Sequence, residues 1–295
     1  MTQTDDAATG PDLVRTLLAE QFPQWSGLSV EQVNHYGTDH DIYRVGTELA
    51  VRLPRREWAA AQAERERVWL PRLARELPLR LPTQLAIGRP GAGYPYPWSV
   101  CDWLPGQQAT WPLGECAAVD LAGFVTALRA VDTADAHPRP ARARGAPLAE
   151  LDDGVRRAIA ELGDRIDARL ALRAWQLSLD ADPYHGPGVW LHGDLLAGNL
   201  LVVDGVLDAV IDWGALNVGD PACDLQPAWN LFAGAGRDRF LAELGSDESA
   251  RLRGRGWVLA QTLIALPYYW DTNPGIVRQT WHALGEALAE VAGET

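Results

Sequence analysis

The chain has 295 residues, 47% of them hydrophobic and 22% charged, with a formal net charge of −13. That balance supplies material for a substantial core, argues against nucleic acid and anionic membranes as partners, and is compatible with a cationic ligand. The 26 Lys+Arg residues are all arginine, and Cys101, Cys116 and Cys223 show no CxxC spacing, so neither a disulfide framework nor a zinc site is expected.

The first residues, "MTQTDDAATGPD", are acidic and lead into no apolar h-region, so a leader peptide is not expected and a cytoplasmic location is. From Ser26 to Pro54 apolar and polar residues alternate around turn signals at Gly37 and Gly46, which predicts successive antiparallel strands. "REWAAAQAERERVWL" then reads as helix, and "PYPWSVCDWLPG" as a short strand ending in a Pro-Gly break. Helical patterns follow at Gly114 to Val131, Leu151 to Leu179 and Arg237 onward, with breaks expected at Pro267 and Pro274. The tract "AHPRPARARGAP" (136–147) lacks periodicity and reads as an exposed loop. Val258 to Trp270 is apolar but too short to cross a bilayer, so it reads as a buried helix. The pattern predicts an α+β fold with a small antiparallel-sheet lobe over 1–103 and a larger helical lobe over 104–295.

The densest chemistry lies at "LHGDLLAGNLLVVDGVLDAVIDW". Asp204-Gly205 between two apolar runs is a favoured two-residue hairpin turn. Counting back from it places Asn199 opposite Val210, with Asp212 just beyond Asn199 at the open end of the hairpin and Asp194 in the loop that feeds that end. A carboxylate, an amide and a second carboxylate of this kind are oxygen donors suited to Mg²⁺. The competing reading, a surface hairpin whose polar residues merely cap turns, has to account for four such positions in the expected context.

"HGDLLAGN", followed by "IDW" and "GDPACDL", resembles the aminoglycoside phosphotransferase family of small-molecule kinases, relatives of the protein kinases. The resemblance runs from about Val33 into the C-terminal helices, with its specific motifs between His192 and Leu225. It implies a protein-kinase-like two-lobed fold and transfer of the γ-phosphate of ATP or GTP to a hydroxyl, with Mg²⁺ as cofactor. Carried over residue by residue, it makes Asp194 the catalytic aspartate and Asn199 and Asp212 the magnesium ligands. His192, Asp220 and Asp224 become supports of the loop, Asp220 also forming an N-cap with Pro221 behind it.

In the first lobe a nucleotide site requires a cation and a helix carboxylate to hold it. Glu66 shares a helix stripe with Leu70, Leu73 and Leu77 and has no basic residue three or four positions away, so an ion pair with Arg52 on the preceding strand is expected. A glutamate at the margin of the stripe, partly in water, is the competing reading. Arginine stands where the kinase pattern has lysine, and the two are not interchangeable. "YGTDHDIY" carries only Gly37 of a glycine-rich loop; Gly37 and Thr38 could cover phosphates, and an ordinary β-turn fits equally. "CDWLPG" matches the interlobe hinge by position, so backbone groups from Asp102 to Leu104 would meet the base.

The expected acceptor is a hydroxylated, cationic small molecule, an aminoglycoside-like antibiotic first, with Asp180, Asp182, Trp229, Trp257, Tyr268, Tyr269, Trp270 and Asp271 as a candidate acidic, aromatic wall, although most of these aromatics, taken singly, read as core. A macrolide, or a metabolic amino alcohol or sugar, is the alternative acceptor. A nucleotide-binding pseudokinase or ligand-sequestering protein is the alternative of another class.

Overall fold

The computed structural model describes residues 7–33 and 39–293. The backbone divides into two units: residues 1–75, 79–106 and 209–214 form the first, and 76–78, 107–208 and 215–295 the second. No helix among the described residues is long and apolar enough to cross a membrane.

In the first unit, α1 (Pro11–Gln21) precedes β1 (Val30–Gln32), β2 (His40–Val45) and β3 (Leu49–Pro54). Then come α2 (Glu57–Leu73), β4 (Gln84–Gly88) and β5 (Trp98–Asp102). The strands form one five-stranded sheet in the order β1-β2-β3-β5-β4, every pair antiparallel. Val14, Leu17 and Leu18 give α1 an i, i+3, i+4 stripe that packs with Tyr43, Val51, Leu53, Trp98 and Val100 in one core. This helix precedes the stretch from Ser26 for which the sequence pattern indicates strands; a three-residue stripe ahead of a long alternating run is a weak periodic signal. On α2 the stripe Ala59, Gln62, Ala63, Glu66, Trp69, Leu70, Leu73 is buried, so two polar side chains enter the core on the same face as the apolar ones. Pro71 is accommodated inside the last turn of α2.

In the second unit, β6 (Gln107–Gln108) leads to α3 (Glu115–Ala130), α4 (Asp152–Leu162) and α5 (Ala168–Leu179). They are followed by β7 (Val189–Leu191), β8 (Leu200–Val203), β9 (Val206–Val210) and β10 (Asn217–Gly219). The chain ends in α6 (Pro227–Asn230), α7 (Ala235–Glu243), α8 (Glu248–Tyr269) and α9 (Pro274–Gly293). The last residues of β9 belong to the first unit. Asp204 and Gly205, between β8 and β9, both take positive φ, 50° and 83°, as the two-residue hairpin turn requires. β7 and β10 pair antiparallel with Leu191 opposite Asn217 and Val189 opposite Gly219. This ribbon delivers the chain into His192.

Helix breaks differ from expectation in three places, one of them between α7 and α8 at residues 244–247. α8 continues through Pro267, which falls in its final turns, and the break comes at Thr272 and Asn273, with Pro274 opening α9. A proline close to a helix C-terminus forfeits only one ladder hydrogen bond before the helix ends anyway. Leu151 to Leu179 is split at Gly163, whose φ of 53° suits glycine and terminates α4.

Gly88, on the edge strand β4, packs against Trp98 of β5, and a Cβ at that position would come within 2.0 Å of the indole. Gly88→Ala is therefore expected to lower unfolding free energy by about 1–3 kcal/mol through overpacking. Urea denaturation checks it; an unchanged midpoint would mean that Trp98 is free to move.

Candidate active site

In the second unit, the loop after β7 is organised by a buried carboxylate. Asp224, 1% exposed, accepts the backbone N–H of His192 at 2.8 Å and of Gly193 at 2.7 Å. Burial pushes its carboxyl above the ordinary range, against the opposing influence of His192, these two amides and Arg129. His192 is fully buried and its Nδ1 accepts the Asp194 N–H at 3.2 Å, which tightens the turn. The Gly193 carbonyl accepts Nε2 of Gln226 at 3.2 Å and Nε2 of Gln261 at 3.4 Å. Leu195, Ala197 and Leu200 are buried, which explains the leucine-rich setting: apolar residues pin the loop while Asp194 and Asn199 remain accessible.

Asn199 ends a short 3₁₀ turn and donates its Nδ2 to Asp194 twice, to the backbone O at 2.9 Å and to Oδ2 at 3.2 Å. With its amide nitrogen so used, Asn199 Oδ1 is the atom left to take a cation, which fits a magnesium ligand in donor chemistry. Asp220 caps the turn Pro221–Leu225 by accepting the Ala222 N–H at 2.9 Å, and it pairs with Arg253 Nε at 2.7 Å. The three side chains read from the sequence as loop supports, His192, Asp220 and Asp224, are each bonded within this unit. Neither Gln226 nor Gln261 was legible beforehand; a glutamine has no motif that announces which carbonyl it will meet.

In the first unit, Arg52 and Glu66 form a buried ion pair, their side chains 13% and 2% exposed. Arg52 Nη2 is also 3.8 Å from Asp212 Oδ1, so the guanidinium stands between two carboxylates. Burial is the largest single influence and opposes its charge, but Glu66, Cys101 and Asp212 together outweigh it and hold the guanidinium above its ordinary value. The same burial pushes the Cys101 thiol up to about 11, despite Arg52. Asp212 is a non-glycine residue at φ 61°, a conformation that has to be held by its surroundings. α2 supplies part of that hold. Arg65 Nη2 donates to the Gly214 carbonyl at 3.2 Å, and Gln62 lies so close to the Gly214 α-carbon that a Cβ there would come within 2.8 Å of its Oε1.

Asp102 is partly committed, its N–H to Thr83 O at 3.0 Å and its Oδ1 accepting the Thr83 N–H at 2.6 Å. The Trp103 N–H goes to Glu48 O at 2.7 Å. Those two amides are therefore not available to a base. Gly37 and Thr38 lie outside the described residues. Asn199 falls in the second unit and Asp212 in the first. The aromatic wall has to be redrawn: Trp229 and Trp257 are core residues, 0% and 1% exposed, and Trp229 Nε1 is bonded to Glu290 at 2.7 Å. Large aromatics on helices bury the most apolar area and are drawn inward first. Trp270 already carries Arg165 over its ring at 4.7 Å.

An α+β fold with an Asp-x₄-Asn loop, a following Asp-Trp-Gly turn and an Arg–Glu pair defines a kinase-type phosphoryl-transfer enzyme for small molecules. The model of the phosphotransferase enzyme family, APH, matches residues 31–258, and the chain belongs to that family. A search of the curated proteins finds no match. Among solved structures, the GDP and kanamycin complex of APH(2")-IIia superposes with a TM-score of 0.75 at 19% identity, over 96% of this chain and 99% of that one. Macrolide 2'-phosphotransferase MphH from Brachybacterium faecium gives a TM-score of 0.63 at 22% identity, over 94% and 97%. A macrolide 2'-phosphotransferase type I gives 0.65 at 22% identity, over 99% of both chains.

Removing one member of a buried ion pair strands the other. Arg52→Met is expected to cost about 3–5 kcal/mol of stability, and Arg52→Met combined with Glu66→Leu to regain most of it. Equilibrium denaturation of the single and double variants decides: equal losses would mean that the pair does not act as a unit.

Proposed function

We propose that the protein transfers the γ-phosphate of ATP or GTP to a hydroxyl of an aminoglycoside-like antibiotic. The observation that carries this reading is the disposition of Asp194: it projects from a loop whose backbone is fixed by buried Asp224, and its Oδ2 is held by Asn199. A carboxylate so fixed can orient an acceptor hydroxyl and receive its proton. In the reaction the hydroxyl oxygen bonds to the γ-phosphorus, the bond from that phosphorus to the bridging oxygen breaks with its electron pair leaving on the nucleoside diphosphate, and the proton passes to Asp194.

Asn199 Oδ1 and the Asp212 carboxylate are the oxygen donors assigned to Mg²⁺, which when bound neutralises charge on the phosphate oxygens. Arg52 adds a fixed cation for the phosphates, oriented by Glu66. The Leu104 N–H is the hinge donor assigned to the base. An acidic chain of net charge −13 favours a cationic acceptor over an anionic one.

A macrolide is the second reading, and a specific feature favours it. Gln261 of α8 touches Gly193, and along the same helix face Ile264 and Tyr268 follow at i+3 and i+7, 43% and 51% exposed. An apolar stripe continuing from the catalytic loop suits an acceptor with apolar bulk.

Turnover with ATP and GTP across a panel of aminoglycosides, macrolides and simple amino alcohols separates the two readings. In the productive pairing, Asp194→Ala is expected to lower single-turnover phosphorylation by roughly 10²- to 10⁴-fold while leaving Mg-nucleotide affinity nearly intact. Asn199→Ala and Asp212→Ala are expected instead to weaken Mg-nucleotide binding in a calorimetric titration. Wild-type turnover by Asp194→Ala would remove the aspartate from the chemistry.

A further inference from the structure

The Pro, Arg and Ala tract from Ala136 to Pro147 read from the sequence as an exposed loop, yet its second half is built into the fold. The Arg142 N–H donates to one oxygen of Glu150 at 2.8 Å and Arg139 to the other at 3.3 Å. Ala146 is 1% exposed. Gly145, at φ 78°, is pressed against the β7–β10 ribbon: a Cβ there would collide with Leu191 and come within 2.9 Å of the Gly219 α-carbon, and the Gly145 carbonyl accepts the Asp220 N–H at 3.0 Å. No residue with a side chain fits at 145 without moving the ribbon. The position of the preceding residue, Arg144, is thereby fixed.

The stem of Arg144 lies over the Gly193 α-carbon, where a Cβ would be 2.8 Å from its Cβ and 2.7 Å from its Cγ. Its Nη2 stands 3.7 Å from Asp194 Oδ1, the two side chains 34% and 28% exposed. The oxygens of Asp194 thus face different groups: Oδ2 takes the Asn199 amide and Oδ1 faces a guanidinium from a segment 50 residues earlier in the chain. We propose that Arg144 is a positioning residue for Asp194, fixing the plane of its carboxylate from the side opposite Asn199. The inference rests on the reading of Asp194 as the group that meets the acceptor hydroxyl. A partly exposed ion pair adds little to stability. Its effect therefore lies in orientation, to which phosphoryl transfer is sensitive.

Arg144→Met keeps most of the stem over Gly193 and removes the charge; Arg144→Lys restores a charge without the planar fork. With a confirmed acceptor, Arg144→Met is expected to lower kcat by ~10- to 100-fold, with nucleotide KM and the unfolding midpoint unchanged. Arg144→Lys is expected to fall between Arg144→Met and wild type. In an Asp194→Asn background the same change is expected to have no further effect on the residual rate, because the oriented carboxylate is already gone. A wild-type kcat for Arg144→Met would overturn the proposal, as would an equal fold-loss in both backgrounds, which marks a purely structural role. Should no compound be phosphorylated by the wild type, the functional reading fails by itself, and crystal structures of wild type and Arg144→Met still decide this point: a rotated Asp194 carboxylate supports it, an unmoved one refutes it.

Discussion

A carboxylate withdrawn from water has to be met by donors, and each unit of this chain organises its functional side chains around one such group. In the second unit it is Asp224, whose two oxygens take consecutive backbone amides of the loop that carries Asp194. In the first it is Glu66, which fixes the guanidinium of Arg52 and has a second oxygen with no protein partner among the described residues. The expense of burial is what makes these contacts directive. A loop held at a buried anion has one arrangement that satisfies the charge, whereas a loop held only by packing has several near-equal ones.

The substitution of arginine for the lysine of the kinase pattern follows the same logic. A guanidinium offers donors along more than one edge, so Arg52 can serve Glu66 and still face Asp212 at 3.8 Å. An ammonium would present a single point of charge to both. Asp212 in turn sits in a left-handed backbone conformation, and α2 stabilises the turn from the other side through Arg65 and Gln62. The helix that holds Arg52 through Glu66 thus also braces the Asp-Trp-Gly turn.

Much of this was legible in the residues. The hairpin followed from Asp204-Gly205, and the burial of Glu66 from a helix stripe with no local basic partner, because both depend on short-range geometry. What escaped depends on contacts between distant segments. Arg144 lies in a tract without periodicity, and only the close approach of Gly145 to the β7–β10 ribbon locates it. Gln226 and Gln261 converge on one carbonyl from separate elements. The candidate aromatic wall stayed open between two readings for a related reason: helical periodicity reveals that a tryptophan has a face but not whether another helix covers it, and Trp229 and Trp257 are covered, as the core reading has it. α1 escaped because a stripe of three buried residues is too short for a period to stand out.

The central claim is that buried Asp224 holds the loop carrying Asp194 by its backbone, and native-state hydrogen exchange reads that bond directly. The amides of His192 and Gly193, which donate to Asp224, are expected to exchange on the slow timescale of the β7–β10 ribbon beside them. Exchange of both as fast as the amides of exposed loop residues would contradict the account.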